Sequence, residues 1–373
     1  MRFSAIPGLN ETKGLLINAV RNNHTPHAQL FVGTDGALNL PLALAFATYL
    51  HCTNRGEDDA CGVCPACSKN LKYIHPDTHF VFPANNVKND KDEDRFKAEM
   101  LKSWRSFLQE QPFGNLGDWS TFYGGEDKQA LISRDESREI IKSLALKPFE
   151  SQYKVMIIWQ PECMHPSAAN GILKILEEPS AYTYFILVSN ASDKLLPTII
   201  SRTQIVSVPL LEDRAIEEAL LQRGIDSGKA RRTAQLAEGR LNAALRLLDS
   251  PEDDNTERFA EWMRACFSKS YSTLTNLADS YHALDKLAQQ NLMAYGMNIL
   301  RESLLLISGA REINRLQGEE LDFVTRFSKV MSVEKIDKSF SLMNEASFNL
   351  ERNGSAKMIF LDLSLKLSKT INP

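Results

Sequence analysis

Four of the six cysteines in this 373-residue chain fall within sixteen residues: Cys52, Cys61, Cys64 and Cys67, spaced C-x8-C-x2-C-x2-C. A C-x-x-C turn aims two thiolates at one centre, and a tetrahedral Zn²⁺ takes four such sulfurs at about 2.3 Å. Gly62 and Pro65 suit the tight turns between them. Four thiolates close the coordination shell, so the spacing predicts a structural zinc centre rather than a catalytic one. Redox-active dithiols are the competing chemistry. His51 and His75 flank the cluster, but the shell is full without them. Cys163 and Cys266 stand alone and read as buried thiols.

A second stretch keeps the frame of a phosphate site and lacks its chemistry. "LFVGTDGALNLPLALAFA" (Leu30–Ala47) starts as a strand, turns at Gly33 and Gly36, and enters a helix. That is the layout of a G-x-x-x-x-G-K-[ST] loop. Here Leu38, Asn39 and Leu40 stand where Gly, Lys and Ser/Thr would be. The lysine would neutralise β/γ-phosphate charge, and the hydroxyl would hold Mg²⁺. A carboxylate pair ending a second apolar strand would hold the metal and orient the attacking water. On "KVMIIW" that position reads Trp159-Gln160, with Glu162 two residues out of place. The sequence therefore predicts no nucleotide bound and no ATP hydrolysed by this chain. The frame itself survives: Gly33 and Gly36 shape the turn, and Pro41 is tolerated in the first turn of the following helix.

An α/β scaffold must position both features. "QLFVG", "THFVFP", "YKVMIIW" and "YFILVSN" are short apolar runs that suit strands buried on both faces of a parallel sheet. Helical patterns lie between them over Leu40–Leu50, Asp135–Leu146 and Pro166–Leu176. An insertion from about 84 to 129 interrupts this alternation. Its Phe96, Met100, Leu101, Trp104, Phe107 and Leu108 recur at helical spacing, ahead of a loop rich in Gly and aromatic residues. It reads as a surface excursion with a small core of its own. After Pro209 the pattern is helical throughout, with glycine stops at Gly224 and Gly239. Polar "SPEDDNTE" (Ser250–Glu257) reads as a hinge. Beyond it Phe259, Trp262, Met263 and Cys266 share one helix face, and Ser355 stands as the N-cap of the last helix. Three parts follow: an α/β module over 1–207, a helical lid over 208–250 and a helical C-terminal domain over 251–373.

Composition limits what the chain can do. Apolar residues make up 43% and charged residues 24%, with a formal net charge of −4. That balance excludes a broad basic face binding nucleic acid unaided. The N-terminal "MRFSAIPGLNETK" lacks the pattern of a signal peptide, and there is no run of about eighteen apolar residues. A cytosolic protein with reduced thiols is expected, which favours metal over disulfides.

Downstream, Ala169, Asn170, Leu173-Lys174, Leu176-Glu177-Glu178-Pro179, Leu195-Leu196-Pro197-Thr198 and Ser201-Arg202-Thr203-Gln204 form a recognisable series. It resembles the AAA+ clamp-loader subunits of bacterial replication, which carry A-x-N-x-L-L-K-x-L-E-E-P and then L-L-P-T-I-x-S-R-C-Q. The cysteine cluster ahead of "HPD" (His75–Asp77) is also a mark of that family. The degenerate loop points to members that do not hydrolyse ATP. The resemblance implies a P-loop-type α/β fold with parallel sheet, a small helical lid and an all-α C-terminal collar that joins subunits. It implies a stator role in the DNA polymerase III clamp loader, beside the gamma/tau ATPase and the delta subunit. The sliding clamp and primer–template DNA would be reached through the complex. It also implies that Arg202, in its Ser201-Arg202 motif, acts as an arginine finger on a neighbour's ATP. A permanently charged, forked guanidinium suits a γ-phosphate. The alternative for Arg202 is a salt bridge to Glu177 or Glu178. Thr203 replaces the usual cysteine, the insertion lies outside the common pattern, and Asn242 stands where ATP-binding relatives carry a lid arginine.

Two other functions compete. One is an active AAA+ ATPase with an atypical site. The other is a zinc-dependent nucleic-acid module, for which residues 52–67 are poorly charged: Arg55 is their one cation, against Glu57, Asp58 and Asp59.

Overall fold

The computed structural model describes residues 1–85, 93–125, 130–133, 140, 147–179, 181–249, 254–284, 286–310, 316, 318–351 and 354–372. The helix expected over Asp135–Leu146 lies outside them apart from Ile140, as does the first half of the hinge. The described chain divides into two compact units, Met1–Gly224 with Glu238–Ala243 and Ile225–Ala237 with Ala244–Pro373.

The first unit begins with α1 (Asn10–Arg21), β1 (Ala28–Val32), α2 (Asn39–His51), α3 (Pro65–Leu71) and β2 (Thr78–Val81). The insertion follows as α4 (Glu93–Glu110) and α5 (Leu116–Phe122). Then come β3 (Lys154–Trp159), α6 (Pro166–Glu177), β4 (Thr183–Ser189), α7 (Pro197–Ile200), β5 (Gln204–Ser207) and α8 (Asp213–Leu221). The five strands form one parallel sheet in the order β2-β3-β4-β1-β5. All six residues of β3 are buried, as expected of a strand covered on both faces. Every residue of α2 is buried too; a helix that is apolar all round belongs inside.

β5 had no apolar run to announce it. It is an edge strand with Gln204, Ile205 and Ser207 exposed, so burial imposes no pattern on it. The stretch expected as a lid, 208–250, is shared: α8 belongs to the first unit and α9 (Ser227–Leu236) to the second, with α10 (Leu241–Asp249) after them.

The second unit is helical, with α11 (Asp254–Phe267), α12 (Tyr271–Ala283), α13 (Lys286–Ile307), α14 (Gly318–Phe327), α15 (Val333–Glu351) and α16 (Ala356–Ile371). Phe259, Trp262, Met263 and Cys266 all enter its core, as their spacing predicts. Ser355 holds the N-cap position of α16, although its hydroxyl makes no capping bond. Trp262 stacks on Phe360 at 4.5 Å and donates through Nε1 to Ser364 Oγ at 2.8 Å. Truncation there loses both the ring and the bond. Trp262→Ala should destabilise this unit by about 3–5 kcal/mol, read from urea unfolding; a loss below about 1 kcal/mol would refute that packing account. Among the described residues no helix is long and apolar enough to cross a membrane.

Candidate functional site

The four cysteines converge. Cys52 ends α2, Cys64 caps α3 and Cys67 lies in its first turn. Their sulfurs all lie within 4.8 Å of one another, and Cys61 Sγ and Cys67 Sγ are 3.9 Å apart. Four sulfurs about 2.3 Å from a common ion would be about 3.8 Å apart. The backbone N–H groups of Cys61, Cys64 and Cys67 point at the sulfurs of Cys52, Cys61 and Cys64, at 3.3, 3.4 and 3.4 Å. Such donors favour thiolate. Burial opposes ionisation at Cys64, yet the Cys67 N–H and the side chain and backbone of Thr53 hold its thiol down at about 6. Burial pushes Cys67 up. The donor set fits a metal of zinc's preference.

The ring nitrogens flanking the cluster are not part of it. His51 and His75 stack on each other at 4.2 Å, and burial, then His75, pushes His51 down to about 3. The lone cation of the loop is committed elsewhere. Arg55 donates to the carbonyls of Tyr49 and Leu50 at the end of α2, at 2.8 and 2.5 Å. Asp59 was not singled out in the sequence, but it ties the loop to the N-terminus, accepting from Phe3 N at 3.0 Å and Ser4 N at 2.9 Å. Cys163 is half-buried and Cys266 buried.

The loop between β1 and α2 buries Gly33 and Gly36 and leaves Thr34 and Asp35 exposed. Gly36 has φ +84, and a Cβ there would meet the side chain of Arg240 at 2.7 Å. Arg240 Nε donates to Asp35 O at 3.3 Å, so this arginine lies across the loop. Asn242 is buried and bonds to Ala243 N. Asn39, the first residue of α2, donates to Ser189 O at 3.0 Å and Asn190 Oδ1 at 2.7 Å, at the end of β4. Leu40 and Trp159 are buried. Glu162 caps the turn after β4 by accepting from Asn190 N at 2.8 Å and Ala191 N at 3.0 Å.

Arg202 follows α7. Its Nε donates to Glu177 Oε1 at 2.6 Å, Nη2 pairs with the same oxygen, and Nη1 donates to Thr198 O at 2.8 Å. Ser201 Oγ receives a longer bond from Nη1, 3.4 Å. The side chain remains 30% exposed. Thr203 Oγ1 bonds to the carbonyls of Ile199 and Ile200, a use of the hydroxyl that cysteine would make more weakly.

A parallel sheet in this strand order, with a phosphate-loop frame between β1 and α2 and a helical C-terminal region, defines an AAA+-type α/β module. The model of the family described as DNA polymerase III, delta subunit matches residues 8–212. The DNA polymerase III subunit delta′ of Bacillus subtilis is 28% identical over 260 residues, 70% of this chain and 63% of that protein. That of Haemophilus influenzae is 28% identical over 186 residues, 49% of this chain and 43% of that one. The match spans less than two thirds of either relative. A solved DNA polymerase III gamma subunit-related protein from Thermotoga maritima shares 16% identity over 96% of this chain and 99% of that one, with a TM-score of 0.42. The chain belongs to the DNA polymerase III delta family matched over 8–212, as a delta-prime-like clamp-loader subunit.

Proposed function

We propose that this chain is a non-catalytic stator of the replicative clamp loader, which binds no nucleotide itself and lends Arg202 to a neighbouring ATPase subunit. The observation that carries the reading is Asn39. Where a phosphate-binding lysine would extend, its amide is bonded back to Ser189 and Asn190. With Trp159 buried at the metal-binding position, the site has neither the loop lysine for phosphate nor the strand-end carboxylate pair for Mg²⁺. The frame persists because it supports α7 and the Arg202 segment beside β5. Partners in this reading are the gamma/tau ATPase and the delta subunit, joined through the helical C-terminal unit as a collar, with the sliding clamp and primer–template DNA met in the complex. The four cysteines hold one structural Zn²⁺, and the location is cytoplasmic.

The isolated chain should show no ATP-dependent thermal shift at millimolar ATP and Mg²⁺. Saturation at about 100 times Kd stabilises a protein by about 2.7 kcal/mol, which a melting curve resolves. An ATP-specific shift of that size would sink the stator reading and favour an ATPase with an atypical site.

A further inference from the structure

The insertion has an aromatic cluster of its own, Trp104, Phe107, Trp119, Phe122 and Tyr123, and that cluster is continuous with the sheet. Trp104, Phe107 and Trp119 are fully buried; Trp104 and Phe107 reach Trp159 of β3, and Trp119 reaches Phe82 just beyond β2. Trp104 stacks on Phe82, just beyond β2, with centroids 4.5 Å apart and planes 13° apart. Its ring lies 4.9 Å from Trp159, the last residue of β3. Trp119 meets Trp104 edge-on at 5.1 Å and donates through Nε1 to Pro83 O at 2.7 Å.

The turn between α4 and α5 reaches the phosphate loop. Asn115 Nδ2 donates to Asp35 Oδ2 at 3.3 Å, while Asn115 and Asp118 form a reciprocal capping box that fixes α5. Gly114 lies so close to Phe107 that a Cβ would meet its ring at 2.7 Å. Phe113, Gly114 and Asn115 enclose a cavity with Gly36, Asn39 and Trp159 whose volume is about 10 Å³. That is room for about one water, where small-molecule pockets run to about 300–1,000 Å³.

We infer that the inserted helical pair is a built-in occupant of the degenerate nucleotide site, holding the phosphate loop and the ends of β3 and β4 in one arrangement. A bound ligand stabilises the state it binds; a covalently attached segment does so without dissociating. Trp159 thereby has a positive role: it is the floor on which Trp104 rests. The inference builds on the reading above that this loop holds no nucleotide.

Hydrogen exchange of the whole protein tests it. The amides of Gly33, Ala37, Leu40 and Leu42 bond to Ser189 O, Thr34 O, Asn39 Oδ1 and Leu38 O. In the native chain they should be protected to a degree comparable with β1 and β4. Trp104→Ala should accelerate exchange over 33–42 and 155–160 by about 100-fold or more, because its loss opens a large cavity under that region. Exchange over 52–67 should stay unchanged. Trp104→Leu, which keeps an apolar filling, serves if the alanine variant does not fold. Rapid loop exchange in the native chain would overturn the inference, as would unchanged loop exchange in a folded variant. Neither result touches the ATP-shift test, so failure here and failure of the stator reading are separable.

Discussion

Arg202→Ala should leave this chain folded and metal-loaded, and should cut ATP hydrolysis in a different polypeptide. Arginine fingers of GTPases are worth about 10³–10⁵ in rate, so the junction facing this subunit should fall by that order. Total turnover of a multi-site ring would fall less, since one junction loses its finger. The ion pair with Glu177 supplies the competing account, and its size can be bounded. Both side chains are partly exposed, at 30% and 48%, and such pairs contribute about 0–1 kcal/mol. Losing 1 kcal/mol shifts Tm by about 2–4 °C for a domain of this size. A small melting shift therefore decides nothing; turnover in the reconstituted complex decides. Lys at 202 should rescue poorly, because a point charge lacks the planar fork. Normal turnover from a complex assembled with Arg202→Ala would assign Arg202 to structure and remove the trans mechanism.

The parts that were legible in the sequence are those where one constraint fixes residue type and spacing together. Four thiolates around one ion demand a short, repeated interval, and 52–67 has it. Strands buried on both faces read as near-continuous apolar runs, and β1, β3 and β4 carry them over Leu30–Val32, Val155–Trp159 and Tyr184–Val188. The edge strand β5 has solvent on it and carries no such signature. The insertion divided along the same line. The recurrence of Phe96, Met100, Trp104 and Phe107 predicts its first helix, whereas the Gly-rich, aromatic stretch after it carries no helical period. The Asn115–Asp118 capping box was the available signal for α5. What Trp104 and Trp119 pack against could not be read, because an amphipathic period says that a face is buried and not what buries it. The apparent second core is a continuation of the first through Phe82 and Trp159. Arg240 and Asp59 were missed for a related reason: each acts across more than fifty residues of chain, on Asp35 and on Phe3.

Removal of metal should affect one corner of the first unit and leave the rest standing. Metal analysis of the reduced protein should return one zinc per chain. Structural zinc contributes about 10–16 kcal/mol of apparent binding free energy in zinc-finger peptides, and those fold only with metal because they have little else. Here α2 and the sheet have an extensive apolar core of their own, so the coupling should stop where that core begins. Cys67 and Cys52 are buried and Cys61 and Cys64 partly exposed. Without an ion the loop from Thr53 to Pro65 loses its centre, and the apolar contacts left to it are few. The N-terminus should loosen with it, since Phe3 and Ser4 are held by Asp59 and Gly62 packs against Arg2. Phe3, buried against Tyr49 at 5.8 Å, should retain part of that contact. A strong chelator or Cys67→Ser should then expose residues 52–67 and the first few residues to protease and to rapid exchange, with β1, β3 and β4 still protected. Zinc well below one per chain with the thiols reduced would refute the metal assignment. Global unfolding on chelation would instead refute the claim that the sheet stands independently of the metal.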